Sequence, residues 1–219
     1  MSNPPRPDRH NAMMMDGALL DAAPEHLRAA IQRLIDERDD LQLTLATLRA
    51  ERDAAQSLAD KDPLTPTLNR RAFLRESARA QSILMRYGAP TSVIFIDLNR
   101  FKAINDRYGH QIGDRVLIAA AHTLLANVRD SDCVGRIGGD EFAVLLAHTD
   151  EDVANEKAEM LVDLLAACSV EVGGERIYIE ATAGAAGLRL GESVDLTLAR
   201  ADEAMYARKP LLGSDAASR

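Results

Sequence analysis

RIGGDEFAVLL, residues 136 to 146, sets two glycines, Gly138 and Gly139, ahead of two acids, Asp140 and Glu141, and then an apolar run from Phe142 to Leu146. The run reads as a buried strand, and Cys133 to Ile137 before the glycines reads as its hairpin partner. Glycine removes side chains, so that backbone can approach a ligand, and it lets a hairpin tip take positive φ. Two carboxylates at the mouth of a buried strand therefore need a chemical reason.

The stretches on either side supply a fold. Residues 71 to 87 read as a helix, and TSVIFID, 91 to 97, as a β-branched strand ending on Asp97. Residues 111 to 129 carry Ile112, Val116, Leu117, Ala120, Leu124 and Val128 on one helical face. Residues 151 to 168 form a further helix with Met160, Leu161, Leu164 and Leu165 inward. VEVGGERIYIE is a hairpin about Gly173 and Gly174, 177 to 188 continues as a strand, and 193 to 208 is the last helix. The order β-α-β-β-α-β predicts an α+β, ferredoxin-like domain: an antiparallel sheet with helices on one face.

In that order Asp97 comes to the hairpin tip, with Asp140 as its partner. Acids brought together at a strand end repel unless a cation sits between them, and hard oxygen ligands suit Mg²⁺, which binds through one or two carboxylates plus substrate phosphates. DLNRFKAINDRYGHQIGD, 97 to 114, adds Lys102, Asn105 and Asp114 around the same strand end. Asp114 can accept from guanine N1–H and its exocyclic amine, and Asn105 can both donate and accept at a purine edge.

Composition narrows the partners. The 219 residues carry a formal net charge of −8, which gives no electrostatic footprint for nucleic acid or an anionic membrane. No apolar run approaches the roughly 18 residues of a membrane span. The two cysteines, Cys133 and Cys168, lack metal-ligand spacing and read as buried thiols of a reduced cytoplasm.

Residues 1–23 are Pro-rich and irregular. From Pro24 a heptad repeat places Leu27, Leu34, Leu41, Leu48 and Ala55 at one position, and Ile31, Arg38, Leu45, Arg52 and Ala59 four residues later. This pattern predicts a coiled-coil stalk over 24–60 that pairs two chains, against the alternative of one amphipathic helix lying on its own domain. A domain over 61–212 and a flexible tail, 213–219, complete the expected organisation.

The motifs resemble those of the GGDEF family of diguanylate cyclases. DPLTPTLNRR, IDLNRFKAINDRYGHQIGD, RIGGDEF and ADEAMYARK each match a family pattern in order, covering Asp62 to about Lys209. The resemblance implies condensation of two GTP into cyclic di-GMP and two pyrophosphates by a cytoplasmic homodimer with Mg²⁺, or Mn²⁺. It implies Asp97, Asp140 and the Leu98 carbonyl as metal ligands, and Glu141 as base for the 3′-hydroxyl or a further ligand. Asn105, Asp114, Lys102, Phe101 and Lys209 would bind GTP, and Gly138 and Gly139 would let the triphosphate lie close. Arg129 and Asp132, an RxxD ahead of the signature, would form with Arg136 a product-binding inhibitory site.

Some positions depart from the pattern: Pro66 for a usual glycine, Asn99 for a common second acid, Thr182 for serine, and Pro210 where the family continues to a Gly-Arg-Asn stretch. A non-catalytic receptor for cyclic di-GMP or GTP, signalling through the stalk, is the competing reading.

Overall fold

The computed structural model describes residues 24–208. The segment 1–23, Lys209 and the tail lie outside the described residues. The chain divides into two units, one ending at Ser57 and the other beginning at Leu58. Helix α1 is Glu25–Asp60, opened by Pro24, whose carbonyl accepts from the N–H groups of Leu27 and Arg28. Its heptad leucines are exposed in the single chain: Leu34 at 65%, Leu41 at 57% and Leu48 at 55%.

In the second unit, β1 (Leu68–Asn69) leads into α2 (Arg70–Tyr87). Asn69 caps this helix by accepting from the Ala72 N–H, while its amide donates to the carbonyls of Ala59 and Lys61. Then come β2 (Thr91–Leu98), α3 (Phe101–Tyr108), α4 (His110–Ala126), β3 (Cys133–Arg136) and β4 (Glu141–Ala147). α5 (Glu151–Ala167), β5 (Ser169–Val172), β6 (Glu175–Tyr178), β7 (Ala181–Gly187) and α6 (Val194–Arg208) complete the order.

The main sheet runs β1-β3-β4-β2-β7, and β5 and β6 form a separate two-stranded sheet. Apart from short, parallel β1, neighbouring strands are antiparallel. The four antiparallel strands stand in the βαββαβ, ferredoxin-like order. The helices, however, cover both faces and not one. Ile94, Ile96 and Leu98 pack with α4 and α5, whereas Val93 and Phe95 pack with Phe73 of α2 and Leu198, Ala201 and Met205 of α6. TSVIFIDL is apolar at successive positions because its strand is buried on both sides.

Gly184 of β7 makes the α6 layer possible. A Cβ there would stand 2.1 Å from the Met205 N and 2.4 Å from the Ala201 O, so sheet and helix backbone meet at that point.

Several local expectations change. The helix read over 111–129 stops at Ala126, and α3 precedes it. Residues 177–188 divide between β6 and β7. Met160 faces solvent while Leu161 and Leu165 are buried. Cys133 and Cys168 are free and only half-buried. Gly173 and Gly174 do carry positive φ, 59° and 87°, in the β5–β6 turn.

Candidate functional site

The site forms where β2 ends against the β3–β4 turn. Asp97 pairs in register with Glu141 on one side and with Thr182 on the other. One residue on, the Leu98 N–H donates to the Asp140 carbonyl at 3.1 Å. Asp97, Leu98, Asp140 and Glu141 are thus brought together, with Glu141 and not Asp140 directly opposite Asp97. The Glu141 carboxyl is pushed above the usual range by burial and by the charges of Asp140, Asp97 and Asp202, which outweigh the pull of Arg70.

The turn itself differs from the expected hairpin tip. The N–H groups of Ile137 and Gly138 both point to the Glu141 carbonyl, at 2.8 and 3.4 Å, giving a wide turn in which neither Gly138 nor Gly139 has positive φ. The two glycines do different things. A Cβ on Gly138 would lie 2.0 Å from Glu141 Oε2, so the carboxylate is folded over the missing side chain; a Cβ on Gly139 would meet nothing within 4 Å.

Arg136 holds the turn from behind. Its Nη2 and Nε donate to the Gly139 carbonyl at 2.7 and 3.2 Å, and its Nη1 to Asp62 Oδ1 at 3.2 Å. Burial works against an ionised Asp62, but the N–H and hydroxyl of Thr65 and the Arg136 guanidinium prevail and hold its carboxyl low. Arg136 therefore ties the turn after α1 to the glycine turn.

Arg100 turns the chain from β2 into α3 in the left-handed region, φ 56°. Gly109, φ 83°, joins α3 to α4, a conformation that favours glycine. Across this elbow Asn105 lies against Gly113, the residue before Asp114: a Cβ on Gly113 would stand 1.9 Å from Asn105 Oδ1. Asn105 and Asp114 are thereby brought close. Lys102 is exposed on the first turn of α3, and Phe101 is half-buried against the core.

Arg129 and Asp132 lie apart from Arg136. They line a notch of about 70 Å³ with Leu146, Thr149, Val153 and Lys157. Asp132 receives the backbone N–H groups of Arg129 and Ala147, at 3.0 and 3.1 Å, so it also fixes the loop. The departures Asn99 and Thr182 bond each other, Thr182 Oγ1 donating to Asn99 Oδ1 at 3.0 Å.

Arg70 and Asp202 went unnoticed in the sequence. With Glu141, Phe95, Ile137 and Asp195 they line a cleft of about 300 Å³ between α2, α6 and the sheet. Among the described residues no three acidic, His or Cys side chains close on one point as a metal cage. The donor set still fits a hard divalent cation, because such an ion needs only one or two carboxylates when phosphate oxygens supply the rest. The mutual repulsion felt by Glu141 is what a cation would relieve.

Comparison with known proteins identifies the family. The family described as diguanylate cyclase, GGDEF domain, matches residues 59–212. The chain belongs to the GGDEF diguanylate cyclase family. It is 32% identical to diguanylate cyclase DgcP of Pseudomonas aeruginosa over 84% of its own length and 27% of that protein. It spans about a quarter to a third of the first curated relatives it matches. Among solved structures it resembles diguanylate cyclase SiaD of P. aeruginosa in complex with its activator SiaC, with a TM-score of 0.72 and 30% identity, covering 91% of this chain and 79% of that one. It also resembles the coiled coil and GGDEF domain of DgcB from Caulobacter crescentus in complex with c-di-GMP, with a TM-score of 0.69 and 27% identity, covering 80% and 94%. No described helix is long and apolar enough to cross a membrane.

Proposed function

We propose that this chain condenses two GTP molecules into cyclic di-GMP with release of two pyrophosphates, as a cytoplasmic homodimer using Mg²⁺ or Mn²⁺. The reading is carried by one observation: the acids of two chain-distant motifs, Asp97 with Leu98 and Asp140 with Glu141, meet at a single strand end. Asp97, Asp140 and the Leu98 carbonyl would hold the cation, which when bound would lower the pKa of an attacking hydroxyl and offset phosphate charge. Glu141 takes the 3′-hydroxyl proton or adds a ligand. Asn105 and Asp114 read guanine, Lys102 and Lys209 neutralise phosphate, Phe101 supports the pocket, and Gly138 and Gly139 leave room for the triphosphate.

One domain, 61–212, carries one GTP, so ring closure needs two domains face to face. The stalk, 24–60, raises the local concentration of the second half-site, and its exposed leucines support pairing with a second copy. The GGDEF domain of DgcB, solved in complex with c-di-GMP, supports binding of the product; product feedback is assigned to Arg129 and Asp132, with Arg136 bracing behind.

Incubation of the purified protein with GTP and Mg²⁺, followed by nucleotide separation, tests the reading. Cyclic di-GMP is the expected product. Tight dinucleotide binding without turnover identifies a receptor instead, and a chain that shows neither is a structural scaffold. Replacing Leu34, Leu41 and Leu48 by charged residues is expected to lower specific activity at low protein concentration; unchanged activity on dilution counts against the stalk.

Gly113→Ala probes guanine reading. The added methyl pushes the Asn105 amide aside, and the Kd for GTP is expected to rise about ten- to hundredfold. Alanine favours a helix by about 1 kcal/mol over glycine, which works against the pressure of the methyl on the Phe101 ring, 3.2 Å away at Cζ. Calorimetric titration with a non-hydrolysable GTP analogue, beside a thermal melt, reads both effects; an unchanged Kd removes Asn105 from the guanine site.

A further inference from the structure

The β5–β6 hairpin stands outside the main sheet, and nothing in the site has yet called on it. A lone two-stranded ribbon is marginal in water, and this one is pinned by burial of Val170 and Ile177. Gly173 and Gly174 both carry positive φ and close a two-residue turn between Val172 and Glu175, so the register is set. Glu175 therefore has a fixed place just past the tip.

We propose that Glu175 is a positioning residue for guanine, holding the last turn of α3 and through it Asn105. The proposal rests on the reading of Asn105 and Asp114 as the guanine contacts and names what keeps them in place. Helix α3 has little else to hold it. None of its residues is buried, no side chain caps its start, and left-handed joints at Arg100 and Gly109 bracket it. Phe101 and Ile104 rest half-buried on the core, which fastens the first turn and leaves the last one to other contacts.

On that last turn, Arg107 Nη2 donates to Glu175 Oε1 at 3.4 Å. The same guanidinium lies 4.9 Å from the centre of the Tyr108 ring, whose face steadies it. The Tyr108 phenol is pushed above its usual range by burial and then by its hydrogen bond to Glu175, against the pull of Arg107. The other arm of the elbow is tied to the same hairpin: Arg115, next to Asp114, donates from Nη2 to the Glu171 carbonyl at 3.1 Å. One hairpin thus grips both the helix of Asn105 and the helix of Asp114.

Exposure sets the size of the effect. The side chains of Arg107 and Glu175 are 69% and 54% exposed, so their pairing adds little to folding. It acts instead on the setting of a helix that buries nothing, and the loss is read in ligand affinity.

Calorimetric titration of the full chain with a non-hydrolysable GTP analogue tests the assignment. Glu175→Ala is expected to raise the Kd about three- to fivefold with an unmoved melting temperature, and Glu175→Asp to recover most of the loss. In turnover the change should fall on KM and leave kcat alone, because the contact serves ground and transition states equally. If Gly113→Ala weakens binding while Glu175→Ala binds as the native chain does, the hairpin is overturned and the guanine reading stands. A melting temperature that falls together with affinity also overturns it, since the whole domain has then loosened. If the native chain fails to bind the analogue, the guanine reading and the assignment fall together.

Discussion

Glu141→Gln is expected to abolish most cyclic di-GMP formation, by about 10²–10⁴-fold, and at the same time to raise the melting temperature at neutral pH. The side chain keeps its shape but loses the charge that Asp97, Asp140 and Asp202 oppose. The sign follows from linkage. A carboxyl whose pKa is higher in the folded chain than in the unfolded one favours folding most below the unfolded value, and that contribution is lost as pH rises through the folded value. At neutral pH the native glutamate is charged and destabilising, and glutamine removes the penalty. Activity has the opposite slope, because proton abstraction needs the ionised form, so turnover should climb with pH through a raised pKa. Initial rates from pH 5 to 9, beside melts across the same range, measure both; a substituted protein that melts lower at neutral pH would refute the repulsion.

Gly184→Ala should damage the fold more than any surface change. The methyl would meet the Met205 N and the Ala201 O, atoms of α6 itself that no rotamer change can withdraw. Helix and sheet must separate, at a cost of about 3 kcal/mol. For a domain of this size the midpoint should fall by roughly 6–12 °C. Gly139→Ala is the matched control, because its methyl would enter open space. Differential scanning calorimetry of both variants decides the matter, and equal midpoints would mean the close approach is not real.

The strand order was legible because β-branched runs and amphipathic helices alternate cleanly, and that order alone brings Asp97 to the glycine turn. Helical cover on both faces was also written in TSVIFIDL, whose unbroken apolar character has no solvent side. Helix α3 was visible in the spacing of Phe101, Ile104 and Tyr108, but its polar residues drew attention as ligands first. The pairing of Asp97 with Glu141 could not be read, because it depends on how many residues the wide turn spans. Nor could the Gly138 contact, which depends on one rotamer of Glu141. The hold of Arg136 on Gly139 and Asp62 was hidden for a similar reason. A cation's partner across the fold is set by tertiary packing, and its neighbours in the chain do not announce it.

The grip of Arg136 on Asp62 and Gly139 has a practical corollary for anyone trimming the protein. A fragment starting inside the PLTPT segment would still contain every residue assigned to nucleotide or metal, yet it would discard the carboxylate that anchors the arginine. It would also forfeit Asp60, the bidentate partner of Arg75. The smallest faithful piece therefore begins upstream of Ala59, and the last turn of the long helix belongs to the domain that follows it as much as to the helix itself.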